Sequence, residues 1–262
     1  MQTLRSYFED DVLQRRALDG FFEAWEGTWP LDEQLLRLYD ASQTAFDPSS
    51  NADEAFGSFE VIYHMLSSPV YGAFRSRTSA PHWEPRQIFD TIKREFAEFS
   101  WRGPVNLLNF SNSRTTVVRL RSCLAKMRGI KANKGFPIMT VSKFLHFYNP
   151  ALFPIYDSAV IWKKVCDGCF KSDFRTFCDR ENLPYQRFKN EDTEDFLPAY
   201  MRWANSLLCA RHANFMQVFV EWLAEQPGVD LRDRKFDPAT LYATAFEFTA
   251  IGATAAELVA VV

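Results

Sequence analysis

Apolar residues recur three and four positions apart along most of the chain, which is the period of an amphipathic helix. A clear example opens at Pro85, where proline suits a helix start, and continues through Ile88, Ile92, Phe96 and Phe99. The pattern predicts helices over residues 31–46, 55–66, 85–101, 115–127, 138–148, 158–169, 195–208, 215–225 and 237–248. Two-residue alternation is almost absent, so the sequence predicts an all-α protein, with one short segment near Val117 left open between strand and helix.

The chain of 262 residues is long enough to bury a core without disulfides. Hydrophobic residues make up 47% and charged residues 24%, which excludes disordered, collagen-like and coiled-coil proteins. We expect one domain over 1–262 with two lobes, the first formed by 55–165 and the second by 1–54 together with 166–262. The most loop-like interior stretches are 46–53 and 178–195.

Cysteine content and the two ends of the sequence indicate a cytoplasmic protein. The five cysteines are an odd number, and residues 1–11 show no charged-then-apolar leader. The most apolar stretch, 243–262, is interrupted by Glu247 and Glu257, so no membrane helix is expected.

Charge is distributed very unevenly. The net charge is −3, but residues 101–189 carry 16 basic and 5 acidic side chains between two acidic flanks. A basic block of this kind is typical of a protein that binds a polyanion such as nucleic acid. The alternative is that the acidic flanks fold back and neutralise the block.

The segment 131–160 contains the most distinctive chemistry. A basic turn with Gly135 leads into the predicted helix 138–148, whose first turn offers unpaired backbone N–H groups for a phosphate. That helix is expected to end at Asn149, because a residue before proline avoids α geometry. After a short extended run, Asp157 stands at the start of the next predicted helix.

This segment resembles the helix-hairpin-helix DNA glycosylases, especially the endonuclease III and adenine-glycosylase branch. Residues 153–160, Phe-Pro-Ile-Tyr-Asp-Ser-Ala-Val, are similar to the family's F-P-I-x-D-x-x-V run, and Gly135-Phe136-Pro137 falls where the family has its G-V-G hairpin. The close resemblance covers about 30 of the 262 residues. It implies a two-lobed helical fold, double-stranded DNA as the partner, and Asp157 as the catalytic residue.

Two departures from the family pattern affect the expected chemistry. Pro137 replaces the second hairpin glycine and removes one N–H donor. The position of the Schiff-base lysine of bifunctional members falls at Met139 or Thr140, which implies a monofunctional enzyme. Lys143 lies one helical turn beyond Met139 on the same face. The possibility that Lys143 acts as a displaced Schiff-base lysine, with lyase activity, is therefore left open.

A carboxylate beside the sugar would stabilise the oxocarbenium-like charge that develops as an N-glycosidic bond breaks, or orient the attacking water. The second interpretation of Asp157 is a simple N-cap of the following helix, and the two roles are compatible.

An extruded base is held by stacking on aromatic side chains, and each of our candidates has core packing as its alternative. The candidate base-pocket residues are Tyr156, Tyr148, Trp162 and Trp101. Phosphate contacts are assigned to a set of basic and hairpin residues. This set comprises Lys126, Arg128, Lys131, Lys134, Gly135, Phe136 and Lys143. Residues 64–69 fall where relatives insert a side chain into the duplex, but their glutamine is absent.

No cofactor or metal is expected. Cys166 and Cys169 lie three apart on a predicted helix, and the four-cysteine iron–sulfur set of the resembled branch is missing, so buried packing is the better interpretation. His82 and Glu84, followed by this cysteine pair, superficially match a zinc deaminase signature, but the expected proline and central sheet are absent.

The leading hypothesis is a monomeric, monofunctional DNA glycosylase that leaves an abasic site. Its target base is not identified by the sequence: hypermodified bases of phage DNA, in antiviral defence, and damaged bases, in base-excision repair, are both open. The alternatives are a non-catalytic helical DNA-binding module that uses the hairpin for phosphate contacts, and a helical protein-interaction domain.

Overall fold

The computed structural model describes residues 2–24, 33–67, 82–100, 105–110, 114–131, 137–188, 194–226, 229 and 241–259. All regular elements in these ranges are helical, which confirms the all-α class. The α-helices are α1 (Ser6–Glu9), α2 (Asp11–Ala24), α3 (Glu33–Phe46), α4 (Ala52–Ser67), α5 (Pro85–Glu95), α6 (Arg114–Lys126), α7 (Ile138–Tyr148), α8 (Lys171–Arg180), α9 (Tyr185–Phe188), α10 (Phe196–Cys209), α11 (Phe215–Ala224) and α12 (Tyr242–Val259). A π-helix, Ser158–Cys169, with a kink at Gly168 where the backbone is not helical, lies between α7 and α8, and short 3₁₀ turns cover Ala97–Phe99 and Arg128–Ile130.

Several predicted boundaries need correction. Helix α5 ends at Glu95, earlier than predicted, because the chain leaves helical geometry at Phe96 and tightens into a 3₁₀ turn. Val117 is helical within α6, so the strand alternative is wrong. Helix α12 runs well past the predicted end at residue 248. Part of the loop-like stretch 178–195 is helical, since α8 reaches Arg180 and α9 follows.

Helix α12 is the centre of one group of helices. It packs along α2 and also meets α1, α11 and the π-helix. All of its side chains from Ala243 to Glu257 are buried. A Cβ on Gly252 would lie 1.8 Å from the carbonyl oxygen of Ala17, so glycine is what lets the two backbones touch.

The second group contains α3, α4, α5 and α7. Helix α3 packs against α4 and α7, and α4 packs against α5. The rings of Phe46, Phe59, Phe89 and Tyr148 meet edge-on or tilted between these helices. The buried apolar residues of both groups form one continuous core. Because α3 contacts α4 and α7, it packs on the predicted 55–165 lobe, although the sequence assigns it to the second lobe. The two-lobed arrangement stays a prediction.

Within the described ranges, no helix is both long enough and apolar enough to cross a membrane.

Candidate functional site

The segment that leads to Asp157 runs back along α7. Asn149 ends that helix, and its carbonyl oxygen accepts hydrogen bonds from the backbone N–H groups of Leu152 and Phe153, at 3.1 and 3.0 Å. Its side-chain nitrogen donates to the carbonyl of Phe99 at 2.8 Å. The resulting tight turn reverses the chain, so that residues 153–156, which form no regular secondary structure, lie buried beside the helix they have just left.

Buried backbone outside helices and sheets needs hydrogen-bond partners, and here side chains supply them. Nδ1 of His146 lies 2.8 Å from the carbonyl oxygen of Phe153, and Oγ of Ser142 accepts from the N–H of Tyr156 at 3.0 Å. Glu247 of α12 accepts from the N–H of Ile155 through Oε1. We call Ser142, His146 and Glu247 the backbone clamp.

The hydrogen bonds fix the protonation pattern of His146. Nδ1 faces a carbonyl oxygen and must donate, so neutral His146 has an accepting Nε2, which receives the hydroxyl of Tyr39 at 2.8 Å. The Tyr39 oxygen lies 3.3 Å from Oγ1 of Thr244. The clamp is therefore braced by α3 on one side and α12 on the other.

Burial disfavours the charged form of both ionisable groups of the clamp. Burial lowers the pKa of His146 to about 4 and raises the pKa of Glu247 well above its usual range. Nδ1 of His146 and Oε1 of Glu247 are 3.6 Å apart, close enough for an ion pair if both were charged. Since the Nδ1 proton is directed at the carbonyl of Phe153, it is not available for a hydrogen bond to Glu247.

Asp157 caps the π-helix. Its backbone is extended, and Oδ1 accepts from the N–H groups of Ala159 at 2.8 Å and Val160 at 3.1 Å. None of the described residues donates a hydrogen bond to Oδ2. The side chain is 9% exposed. Capping thus uses one oxygen of the carboxylate and leaves the other for a different partner.

The helix that Asp157 caps has an uncommon form. The carbonyl oxygen of Asp157 accepts from both Ile161 and Trp162, at 2.8 and 3.2 Å, and the N–H of Phe170 reaches back five residues to Val165. π-Helical turns are rare and are found frequently at functional sites. The wider turn begins at the proposed catalytic carboxylate.

The basic residues named from the sequence lie in different environments. Lys126 is exposed at the end of α6, and Lys131 is half-buried, which lowers its pKa. Arg128 forms an ion pair with Glu194. Lys143 is only 3% exposed, so in this structure it is not open to a phosphate or a sugar. Lys134, Gly135 and Phe136 lie outside the described residues.

The acidic flanks do fold back onto part of the basic block. Besides the Arg128 pair, Arg121 of α6 lies 3.1 Å from Asp195, and Arg119 pairs with Glu98. For these three arginines, the alternative that the acidic flanks fold back and neutralise the basic block is therefore confirmed.

The candidate pocket aromatics pack in the core. Tyr156 contacts Phe196 edge-on with ring centres 4.8 Å apart, and Trp162 contacts the same ring at 5.7 Å. The hydroxyl of Tyr148 donates to the carbonyl of Phe96. All three rings are buried, so none offers an open face to a base in this structure. Trp101 lies outside the described residues.

The cysteines are all free, and the described ranges contain no cluster of three or more histidine, cysteine or acidic side chains suited to a metal. Burial raises the pKa of Cys123 to about 11 and that of Cys178 to about 12. The segment of the deaminase-like match has a packing role: the N–H of His82 bonds the carbonyl of Ile130, and the Trp83 ring covers Gly129.

Sequence reasoning missed the backbone clamp. One signal was present for Glu247, a lone acid inside an apolar run. A second signal was the pair Ser142 and His146, two polar residues one turn apart on an otherwise largely apolar helix. Which backbone groups they meet depends on a chain reversal and on a helix about 90 residues away.

Comparisons of the chain with protein families, curated proteins and solved structures gave no significant match. The assignment of a function therefore depends on the chemistry of the residues themselves.

Proposed function

We propose that the protein is a monofunctional DNA glycosylase that extrudes a modified or damaged base from double-stranded DNA and hydrolyses its N-glycosidic bond. The observation that carries the proposal is the state of Asp157. This carboxylate has one oxygen fixed by two backbone N–H groups, while its other oxygen accepts no hydrogen bond from the described residues. It also stands in the sequence run that resembles the glycosylases.

In the proposed reaction the bond between C1′ of the sugar and the base nitrogen breaks, and the electron pair leaves with the base. Positive charge develops on the sugar, where the carboxylate of Asp157 stabilises it and orients a water molecule for attack. The water oxygen bonds to C1′, and its proton neutralises the departing base. The products are a free base and an abasic site, with the DNA backbone intact.

Charge complementarity supports duplex DNA as the partner. Lys126 and Lys131, together with the hairpin residues Lys134, Gly135 and Phe136, would contact phosphates and hold the strand near Asp157. These contacts carry no base specificity, so the substrate base is defined elsewhere in the chain.

The decisive experiment compares the wild-type protein with Asp157→Asn on DNAs that differ in modification. The set includes undamaged DNA, oxidised or deaminated DNA, and glucosylated phage DNA. Products are analysed with and without alkali, which cleaves abasic sites. We expect strand breaks from the wild type only after alkali, and none from Asp157→Asn, because the amide can still accept the capping hydrogen bonds but lacks the charge.

Asp10→Asn provides the matched control, since Asp10 also caps a helix, α2, by accepting from the N–H of Leu13 at 2.9 Å. This variant should retain base release. Salt-dependent DNA binding without base release from any substrate would instead identify a non-catalytic binding module. The class of DNA attacked separates antiviral defence from repair.

A further inference from the structure

The backbone clamp holds the four residues immediately before Asp157. The clamp forms hydrogen bonds with three backbone groups: the carbonyl of Phe153, the N–H of Ile155 and the N–H of Tyr156. Pro154, between the first two groups, has no backbone N–H that would need a partner. The chain that delivers Asp157 to its helix is therefore fixed at each of these groups.

The clamp grips this segment from two sides. Ser142 and His146 are four residues apart, so their side chains project from the same face of α7. There they form hydrogen bonds with two positions of the reversed chain, Tyr156 and Phe153. Glu247 reaches the same segment from α12, 92 residues further along the sequence than Ile155. A segment bonded to only one helix could move together with that helix. Hydrogen bonds to two helices instead fix the position of the segment between them.

We propose that Glu247, acting with His146 and Ser142, is a positioning residue that sets the carboxylate of Asp157 for catalysis by holding the backbone of residues 153–156. This inference rests on the proposed glycosylase function. It assigns Glu247 no contact with DNA and no proton transfer.

The chemistry of Glu247 suits this task. Burial keeps the pKa of its carboxyl raised, so the group acts as a neutral hydrogen-bond acceptor. Glutamine has the same shape and offers the same acceptor, while leucine would leave the N–H of Ile155 buried without a partner. A polar residue at position 247 is needed for its oxygen, not for its charge.

The test measures the steady-state kinetics of base release for Glu247→Gln and Glu247→Leu, on the DNA that the wild-type protein attacks. Glu247→Gln should keep kcat within about twofold. Glu247→Leu should lower kcat about 100-fold with little change in KM, because a displacement near 1 Å can cost that much in rate while DNA binding is made elsewhere.

Thr254→Val is the matched control on α12. Thr254 is buried and polar like Glu247, but its hydroxyl donates only within its own helix, to the carbonyl of Ile251 at 2.6 Å. This variant should keep the wild-type kcat even where its stability is lowered. An equal loss of kcat in Thr254→Val and Glu247→Leu would overturn the proposal, as would wild-type kcat in Glu247→Leu.

Hydrogen exchange provides a readout that does not need activity. The amides of Ala159 and Val160 are bonded to Asp157 and report its position directly. We expect faster exchange at both in Glu247→Leu, wild-type exchange in Glu247→Gln, and no change at Phe219 of α11 in either. Unchanged exchange in Glu247→Leu would refute the positioning role.

The two proposals fail in different ways. A wild-type protein that releases no base from any DNA refutes the glycosylase function, while the exchange of Ala159 and Val160 still decides whether the clamp positions Asp157. If Glu247→Leu does not fold, Ser142→Ala takes its place, since it removes the partner of the Tyr156 N–H. Ser142→Ala should then speed exchange at the two amides, and no change there would refute the clamp.

Discussion

At the scale of single residues, the core contains an acid and a base whose protonation is set by burial. His146 and Glu247 lie side by side, and burial disfavours the charged form of each: it lowers the pKa of His146 and raises that of Glu247. Burial also raises the pKa of the phenols of Tyr39 and Tyr200 above their ordinary value. Both His146 and Glu247 therefore make the stability of the folded protein depend on pH.

Glu247→Gln should become progressively more stable than the wild type as the pH rises. In the unfolded chain Glu247 loses its proton near pH 4.5, but in the folded protein its raised pKa keeps the proton on. The contribution of Glu247 to wild-type stability therefore falls as the pH rises above about 4.5, and glutamine, which cannot ionise, escapes that loss. Urea unfolding of both proteins at pH 5 and pH 8 measures the effect; a pH-independent difference would contradict it.

His146→Asn should show the opposite trend. The pKa of His146 is about 4 when folded and 6.5 when unfolded, so the contribution of His146 to wild-type stability is lost as the pH falls from 6.5 towards 4. The full loss is about 3 kcal/mol, since each pKa unit corresponds to about 1.4 kcal/mol. The variant is less stable at pH 7, and the gap should narrow on acidification in denaturant titrations. A gap that widened would show that His146 is charged in the folded protein.

At the scale of elements, local signals predicted some helices well. Helix α7 has the predicted bounds because Pro137 precedes it and Asn149-Pro150 ends it, and both signals act within a few residues. Helix α8 was missed although Phe174, Phe177 and Cys178 form one buried face, since its other positions are mostly charged.

Long-range packing explains what local signals could not predict. The end of α12 was misplaced because its helix has no polar face: it is buried all round and shows little periodicity. The position of Asp157 at a helix start followed from the sequence, whereas its support by Glu247 depends on a contact between distant segments. The hairpin lies outside the described residues, so its geometry stays a prediction.

The contact between α2 and α12 predicts a sharp contrast between two glycines. Gly252→Ala should destabilise the protein by about 3 kcal/mol or more, because the added methyl group would collide with the backbone at Ala17. Gly57→Ala, on the exposed side of α4 with no atom within 4 Å of the new carbon, should stabilise by about 0.5–1 kcal/mol. Thermal and urea unfolding measure both. Similar effects of the two changes would refute the close approach of the helices.

At the scale of the whole molecule, electrostatics are shaped by the folding back of acidic segments. Glu194 and Asp195 come from the acidic flank, and they pair with Arg128 and Arg121 of the basic block. The surface that we propose for DNA is thus partly neutralised by the protein itself, which weakens sequence-independent attraction to phosphate.

Removing one of these acids should strengthen DNA binding. Glu194→Gln frees Arg128, and we expect affinity for duplex DNA to rise about fivefold at low salt, equivalent to about 1 kcal/mol, with a steeper salt dependence. Glu225→Gln is the matched control, because Glu225 pairs with Arg15 of α2, outside the basic block. Fluorescence anisotropy across a salt series measures both. Equal effects of the two variants would place the DNA elsewhere.

The late position of α12 in the sequence has a consequence for biosynthesis. Domains fold progressively as they emerge from the ribosome. Until α12 has emerged, the nascent chain exposes the apolar side of α2, and the N–H of Ile155 has no carboxyl to receive it. Premature termination before residue 247 therefore yields a polypeptide in which the N–H of Ile155 lacks its partner from α12. Its exposed apolar surface is open to chaperones and proteases.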